Sequence, residues 1–287
     1  MNWTTQNCED ETYSHKFNDV VRIISEWFEA HGGVADKDVL EFGCGEATVA
    51  LGLALQKKPQ RLVGVEILDV VFKCADYARK NMGLETLPNN LELYKIEPGQ
   101  RLTDLGTFDF IYTWSVFEHV RRDTLQDAFR SIAEVLRPGG VVFLQISPLF
   151  YSRDGSHLAP WINQPWGHLS MEHDVFKETL WDAPATPEAL RKAWSVYIPL
   201  DADQEIERQK LWETYVTLNK ITAPQLERAA TDAGLQIIRD YRTKNDDAIP
   251  LDIAEIYDED TLRTEQIVWL LTHKEPPSRA ALVQQRR

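Results

Sequence analysis

Cysteine is scarce in this chain. Cys8, Cys44 and Cys74 are the three among 287 residues, an odd number without metal-ligand spacing, so neither a disulfide framework nor a zinc site is expected. A reducing, cytoplasmic setting is expected instead. Basic residues are outnumbered too, with 31 Lys and Arg against 45 Asp and Glu and a formal net charge of -14. Nucleic-acid binding draws most of its affinity from neutralised phosphates, so that balance disfavours a nucleic-acid partner. No apolar run reaches the ~20 residues that cross a bilayer. The first residues, Met1 to Asn7, lack the basic and apolar regions of an export signal, and no membrane association is expected. No internal repeat is visible. What is present, 43% hydrophobic and 26% charged residues, is the composition of a globular chain with an ample core. The length suits one large domain or a domain carrying a sizeable insertion.

The densest signal is Val39-Leu40-Glu41-Phe42-Gly43-Cys44-Gly45. Val39, Leu40 and Phe42 suit a buried strand, and the two glycines allow a sharp turn and a close approach of backbone to ligand. A helical stripe of Val49, Leu51, Leu53, Ala54 and Leu55 follows at once, so free N–H groups and a positive helix end face the loop. A ligand-free tight turn would also favour glycine, and the surroundings must discriminate. The dinucleotide fingerprint places a third glycine three positions after the second; here that position is Thr48. Glu41, just ahead of the turn, would repel a pyrophosphate and attract an ammonium or sulfonium group. Arg61 to Val65 reads as a second strand ending at Glu66, about twenty residues after the loop, where a carboxylate accepts hydrogen bonds from ribose hydroxyls. The expected ligand is a cation that carries a ribose. Cys44 reads as a small residue that fits the turn.

Taken with the strand Phe108-Asp109-Phe110-Ile111-Tyr112 and the turn Leu136-Arg137-Pro138-Gly139-Gly140, in this order, these motifs resemble the class I S-adenosylmethionine (SAM) dependent methyltransferases. The resemblance implies an α/β fold, a doubly wound, seven-stranded, mostly parallel Rossmann-like sheet with a long insertion after strand 5. It also implies SAM as cofactor, bound by Glu41, Gly43, Gly45, Glu66, Ile67, Glu97 and Trp114. Glu97 stands where many relatives carry an Asp that contacts the adenine. After the fourth strand the amino-methylating families usually place Asn or Asp and then Pro-Pro-Phe or Pro-Pro-Tyr. This chain reads Trp114-Ser115-Val116-Phe117-Glu118-His119-Val120, which argues against methylation of a base or amide nitrogen.

The pattern divides the chain into an N-terminal helical or lid segment, 1–35, and a SAM-binding core, 36–147. An acceptor-binding insertion, 148–221, the remainder of the core sheet, 222–275, and a tail, 276–287, follow. Phe17, Val20, Val21, Ile24, Trp27 and Phe28 predict a helix stopped by Gly32-Gly33. Glu9 to His15 reads as a loosely held terminus, and the resemblance offers a lid as the second reading. Val70 to Met82 predicts a helix closed by Gly83. Leu91–Ile96, Phe108–Thr113, Val141–Ile146, Leu235–Tyr241 and Ile267–Thr272 are the further strands. A helix is expected from Asp123, capped by that residue with Gln126 reaching back, and another from Thr222 with Gln225 in capping-box positions. Residues 246–260 read as a surface loop or short helix.

Glu118-His119 sets a carboxylate and an imidazole side by side at a strand end, where they can bind a divalent metal or move a proton. Similar pairs, usually with a Glu three residues earlier, hold a metal in ubiquinone O-methyltransferases and small-RNA 2'-O-methyltransferases; here the earlier residue is Ser115. Two readings stay open: magnesium, manganese or zinc on Glu118, His119 and His168, or a pair that orders its loop. Residues 148–221 interrupt the strand-helix alternation, and so long an excursion is usually functional. Tyr151, His157, Trp161 and Trp166 are its candidate acceptor-binding residues, since aromatic faces suit a sugar ring. His119, His168 and His173 are the candidate bases. The same aromatics would equally build a mini-core or a homodimer surface.

The function expected is SAM-dependent methylation of a hydroxyl on a small polar acceptor, a sugar or glycoside first, a carboxylate or aromatic hydroxyl second. A NAD-dependent oxidoreductase, disfavoured by Thr48 and Glu41, and a SAM-binding protein without catalysis are the rivals of another class.

Overall fold

Along each central strand, neighbouring residues feed opposite cores. In the computed structural model, which describes residues 5, 8–159, 161–183 and 203–274, Leu40, Val63, Ile111, Val142 and Leu271 enter one buried cluster. Val39, Leu62, Phe110, Phe143 and Leu270 enter another. Strand side chains alternate, so a run apolar at every position is a strand covered on both faces. The strands are β1 Asp38–Phe42, β2 Arg61–Glu66, β3 Leu91–Lys95, β4 Phe108–Trp114, β5 Leu136–Ile146, β6 Leu235–Lys244 and β7 Thr264–His273. They form one seven-stranded sheet in the order β3-β2-β1-β4-β5-β7-β6. The pairs among β1 to β5 are parallel, while β7 runs antiparallel to β5 and β6. This is the doubly wound, mostly parallel sheet expected. Strand order reverses between β1 and β4, which opens a crevice at the carboxyl ends of the strands.

Several local expectations hold. Gly83 adopts φ 65° and closes the helix Cys74–Met82, and Thr222 and Gln225 form the capping box of the helix Ala223–Asp232. Others are corrected. β5 begins at Leu136, which pairs with Phe108 across a register shift, so Pro138 and Gly139 bulge within a strand instead of preceding it. The guanidinium of Arg137 reaches Asp109 at 2.6 Å and Asp38 at 2.5 Å, tying the starts of β1 and β4 together. Asp123 does not cap the next helix. Arg121 donates to it at 3.0 Å, and the helix Leu125–Val135 starts after Thr124 with no side-chain cap.

The N-terminal lead is a fixed element. Glu11–His15, the π-helical turn Lys16–Val20 and Val21–Glu29 form a continuous helical run. Asp10 accepts from the Tyr13 amide at 2.8 Å, and Tyr13 and Phe17 are buried. A Cβ on Gly52 would stand 2.7 Å from the Phe17 carbonyl, so only glycine lets the helix Thr48–Gln56 approach this turn. Gln56 donates to the same carbonyl at 2.7 Å and ties the two helices together. Between β5 and residue 221 lie the helices Gly167–Ser170, His173–Asp182 and Gln204–Thr217. Phe150, Leu158, Trp161, Phe176, Trp212 and Tyr215 help to form a separate apolar cluster there. The tail expected from Pro276 lies outside the described residues. No helix among those described is long and apolar enough to cross a membrane.

Candidate active site

The carboxyl ends of β1, β2, β4 and β5 border a cavity of about 1340 Å³. A single small ligand typically occupies a few hundred to about 1,000 Å³, so this volume admits two bound molecules. Glu41, Gly43, Gly45, Glu66, Ile67, Glu97 and Trp114 all line it.

The two loop glycines differ in purpose. Gly43 has φ 77°, and a Cβ there would stand 2.5 Å from a methyl of Val116, so its bare backbone is demanded by packing against the loop after β4. Gly45 has φ 53° and nothing within 4 Å of a would-be Cβ, so its backbone faces open cavity. Glu66 fixes this loop. One oxygen accepts from the Gly45 amide at 2.8 Å, and the other accepts from the amides of Ile67 and Leu68 at 2.8 and 3.1 Å. A carboxylate offers about four lone-pair sites, which leaves one for a ligand hydroxyl. Glu41 is buried and accepts from the Tyr112 hydroxyl at 3.0 Å. Burial, with the nearby Glu46 adding to it, pushes its carboxyl up to about 8. Burial opposes ionisation of Glu46 as well, but the Lys16 ammonium 2.7 Å away outweighs it and holds that carboxyl below its usual range. Thr12, His15 and Lys16 bring the N-terminal helix to the cavity rim.

At the other end, Ser115 takes φ 52° and its amide and hydroxyl both donate to the Gln145 side chain at 3.1 Å. The chain then turns Glu118 and His119 towards the cavity. Asn219 holds that turn from the far end of the insertion. Its side-chain amide donates to the carbonyls of Phe117 at 2.5 Å and Val120 at 2.9 Å, and its backbone amide donates to that of Glu118 at 2.9 Å. Glu118 is 3% exposed, and neither carboxyl oxygen has a hydrogen-bond partner among the described residues. Burial pushes it up to about 8. The His119 ring opens onto the cavity, yet enough protein surrounds it that desolvation lowers its pKa, and the neutral imidazole dominates at pH 7. His157 stands 5.7 Å from it, ring to ring. Burial, with His119 beside it, lowers His157 to about 4. Its Nε2 lies 3.1 Å from the Pro148 carbonyl, which can only accept, so Nε2 carries the proton and Nδ1 is the free acceptor.

The other residues expected from the insertion do not line this cavity. Nε2 of His168 donates to the Phe150 carbonyl at 2.6 Å, and burial lowers its pKa to about 4. His173 is exposed, beside Asp174 at 3.3 Å. Tyr151 packs on Tyr257, Trp161 lies under the Arg208 guanidinium, and Trp166 is fully buried with its Nε1 donating to the Leu262 carbonyl at 3.3 Å. Trp161 joins the insertion's own apolar cluster, whereas Tyr151 and Trp166 pack against residues between β6 and β7. With His168 held there, the set Glu118, His119 and His168 is not assembled. No group of three His, Cys, Asp or Glu side chains placed for a metal occurs among the described residues. Residues missed from the sequence include Lys16, Glu46, Asp154 and Glu265. Glu46 was detectable, adjoining Gly45; the others are brought in by tertiary packing alone.

A family profile described as a methyltransferase domain matches residues 13–239. The chain belongs to that family. A ubiquinone biosynthesis O-methyltransferase of Azoarcus sp. (strain BH72) is 29% identical over 118 residues, covering 41% of this chain and 47% of that protein. The match thus spans about half of the relative. Among solved structures, an S-adenosylmethionine-dependent methyltransferase from Clostridium acetobutylicum ATCC 824 superposes with a TM-score of 0.54 at 14% identity, over 90% of this chain and 92% of that one. A magnesium protoporphyrin IX methyltransferase from Synechocystis PCC 6803 with bound SAH gives 0.51 at 13% identity, over 92% and 86%. At those identities the likeness is one of fold. The family match runs from Tyr13 in the N-terminal helix into β6, so the methyltransferase domain includes the rim helix, the glycine loop and the Glu118-His119 turn.

Proposed function

We propose that the chain transfers a methyl group from SAM to a hydroxyl oxygen of a small polar acceptor. One observation carries the reading: a single cavity has the Glu66-anchored glycine loop at one end and the neutral imidazole of His119 at the other. When bound, SAM supplies an electrophilic methyl carbon on a sulfonium, with a neutral thioether as the leaving product. The residues fit that group. Gly45 leaves room for close approach, Glu66 retains a lone pair for a ribose hydroxyl, and Glu46 and Glu66 give the lining an acidic character that suits a cationic ligand. Glu97 and Trp114 are the proposed flanks of the same subsite.

His119 takes the proton of the acceptor hydroxyl as its oxygen becomes nucleophilic, and His157 orients the acceptor from the facing loop. Ser147, Asn163 and Thr214 line this end and supply hydrogen-bonding partners for a hydroxylated molecule. A sugar or glycoside remains the first choice, now on these polar groups and not on tryptophan faces. The test is methyl transfer from labelled SAM to a panel of hydroxylated acceptors, with His119→Asn as control. Loss of a general base should lower kcat by about 10²–10⁴, while S-adenosylhomocysteine affinity stays within error. Turnover is expected to survive EDTA. Loss in EDTA with recovery on added magnesium would return Glu118 and His119 to a metal-binding role.

A further inference from the structure

The base assigned above has no side-chain tie of its own. His157 and His168 each donate through Nε2 to a carbonyl, but among the described residues nothing hydrogen-bonds the His119 ring. A catalytic base is ordinarily oriented by a third group. Here the backbone must supply that orientation, and one residue holds it. The carbonyls of Phe117, Glu118 and Val120, on both sides of His119, all accept from Asn219. Phe117 and Val120 receive its side-chain amide at 2.5 and 2.9 Å, and Glu118 receives its main-chain N–H at 2.9 Å. The amide cannot be reversed, because its Oδ1 accepts from the Ile221 N–H at 3.1 Å. Asn219 is pinned in turn. Leu218 before it is buried in the insertion's apolar cluster and Ile221 after it in the sheet's, while the Arg122 guanidinium donates to the carbonyls of Asn219, at 2.6 Å, and of Lys220.

We propose that Asn219 positions the His119 imidazole for methyl transfer, by fixing the turn that bears it to the insertion that walls the acceptor end. This rests on the hydroxyl-methylation reading above, with His119 as the base. Leu211 and Thr214, on the helix that ends at Thr217, line the cavity, and Asn219 follows that helix by two residues without lining the cavity itself. The wall that meets the acceptor and the turn that carries the base are thereby one frame. Proton removal must coincide with in-line approach of the oxygen to the methyl carbon. Displacing the base by about 1 Å therefore slows the chemical step and leaves ground-state binding alone.

Asn219→Ala removes the side-chain donors, and Asn219→Asp keeps the volume and the Oδ1 acceptor but sets oxygen against the two carbonyls. In methylation of the hydroxylated panel, both variants should lower kcat about tenfold to a hundredfold while KM and S-adenosylhomocysteine affinity stay near wild type. In NMR of the free protein, the Cε1–H signal of His119, assigned by its loss in His119→Asn, should shift and broaden in both. Thr222→Ala, which removes the capping box of the next helix, should change neither readout and so separates positioning from lost stability. Failure of wild type to bind S-adenosylhomocysteine or to methylate any acceptor removes the methylation reading, and the His119 signal then decides the assignment of Asn219 by itself. Should neither Asn219 variant fold, Arg122→Met, on the exposed side of the same segment, should produce the same changes in smaller measure. Wild-type kcat in Asn219→Asp, a raised KM with kcat unchanged, or an unaltered His119 signal overturns the proposal.

Discussion

Glu66 shows one carboxylate serving loop and ligand together. Its oxygens receive three backbone amides, from Gly45, Ile67 and Leu68. Replacing one oxygen by an NH₂ would set a donor against those donors, so Glu66→Gln should weaken SAM binding nearly as much as Glu66→Ala. The expected loss is on the order of 1–3 kcal/mol by calorimetry. Wild-type affinity in Glu66→Gln would mean that the loop does not depend on the carboxylate. Gly43 carries a related lesson. Its glycine is legible in sequence as a sharp turn, but the Val116 side chain that forbids a Cβ comes from a distant loop. Gly43→Val is therefore a packing defect first and a ligand defect second. Positions near Glu66 were readable because the motif is local. His168 and Trp166 were not, because residue type does not say which of two buried surfaces a side chain will join.

At the scale of elements, the insertion separates structural aromatics from those at the site. Trp166 is fully buried with Ile253 and Leu262, and its indole N–H is satisfied by a carbonyl. Trp166→Ala should cost about 3–5 kcal/mol in urea unfolding, as large-to-small core changes do. A raised acceptor KM with unchanged stability would instead place Trp166 in acceptor binding. The helix after the insertion offers a smaller test. Thr222→Ala removes the capping box and should cost about 1 kcal/mol without touching SAM affinity. That box was legible because capping is a matter of three or four adjacent residues. The failed cap at Asp123 had the same local pattern, and an equally local competitor, Arg121, took the carboxylate. The periodicity reading found the N-terminal helix from Phe17 onward but not its first turns, Glu11–His15, because a π-turn shifts the register at Lys16–Val20. A uniform 3.6-residue stripe does not extend through such a turn.

For the whole molecule, buried titratable groups set a two-sided pH response. Glu41 and Glu118 ordinarily titrate at 4.5 but are pushed up to about 8 by burial. Between those limits the folded state binds more protons than the unfolded chain, so their contribution is complete below 4.5 and lost as pH rises through about 8. His157 and His168 run the other way. Burial lowers them from 6.5 to about 4, so their contribution is present above 6.5 and lost as pH falls through about 4. Glu46, held low by Lys16, adds to the loss on the acid side. The opposing slopes overlap between 4.5 and 6.5, where Tm should be nearly flat, with a decline on each side. Glu41→Gln should shallow the alkaline limb and His168→Gln the acid limb. A Tm that climbs steadily from neutral pH to about 9 would contradict the sign assigned to both carboxyl groups. SAM bears on one limb only. A cation bound beside Glu41 favours its ionised form and brings its folded pKa back towards the ordinary value, so saturating SAM should raise Tm and make the alkaline decline shallower, leaving the acid limb where the buried histidines put it.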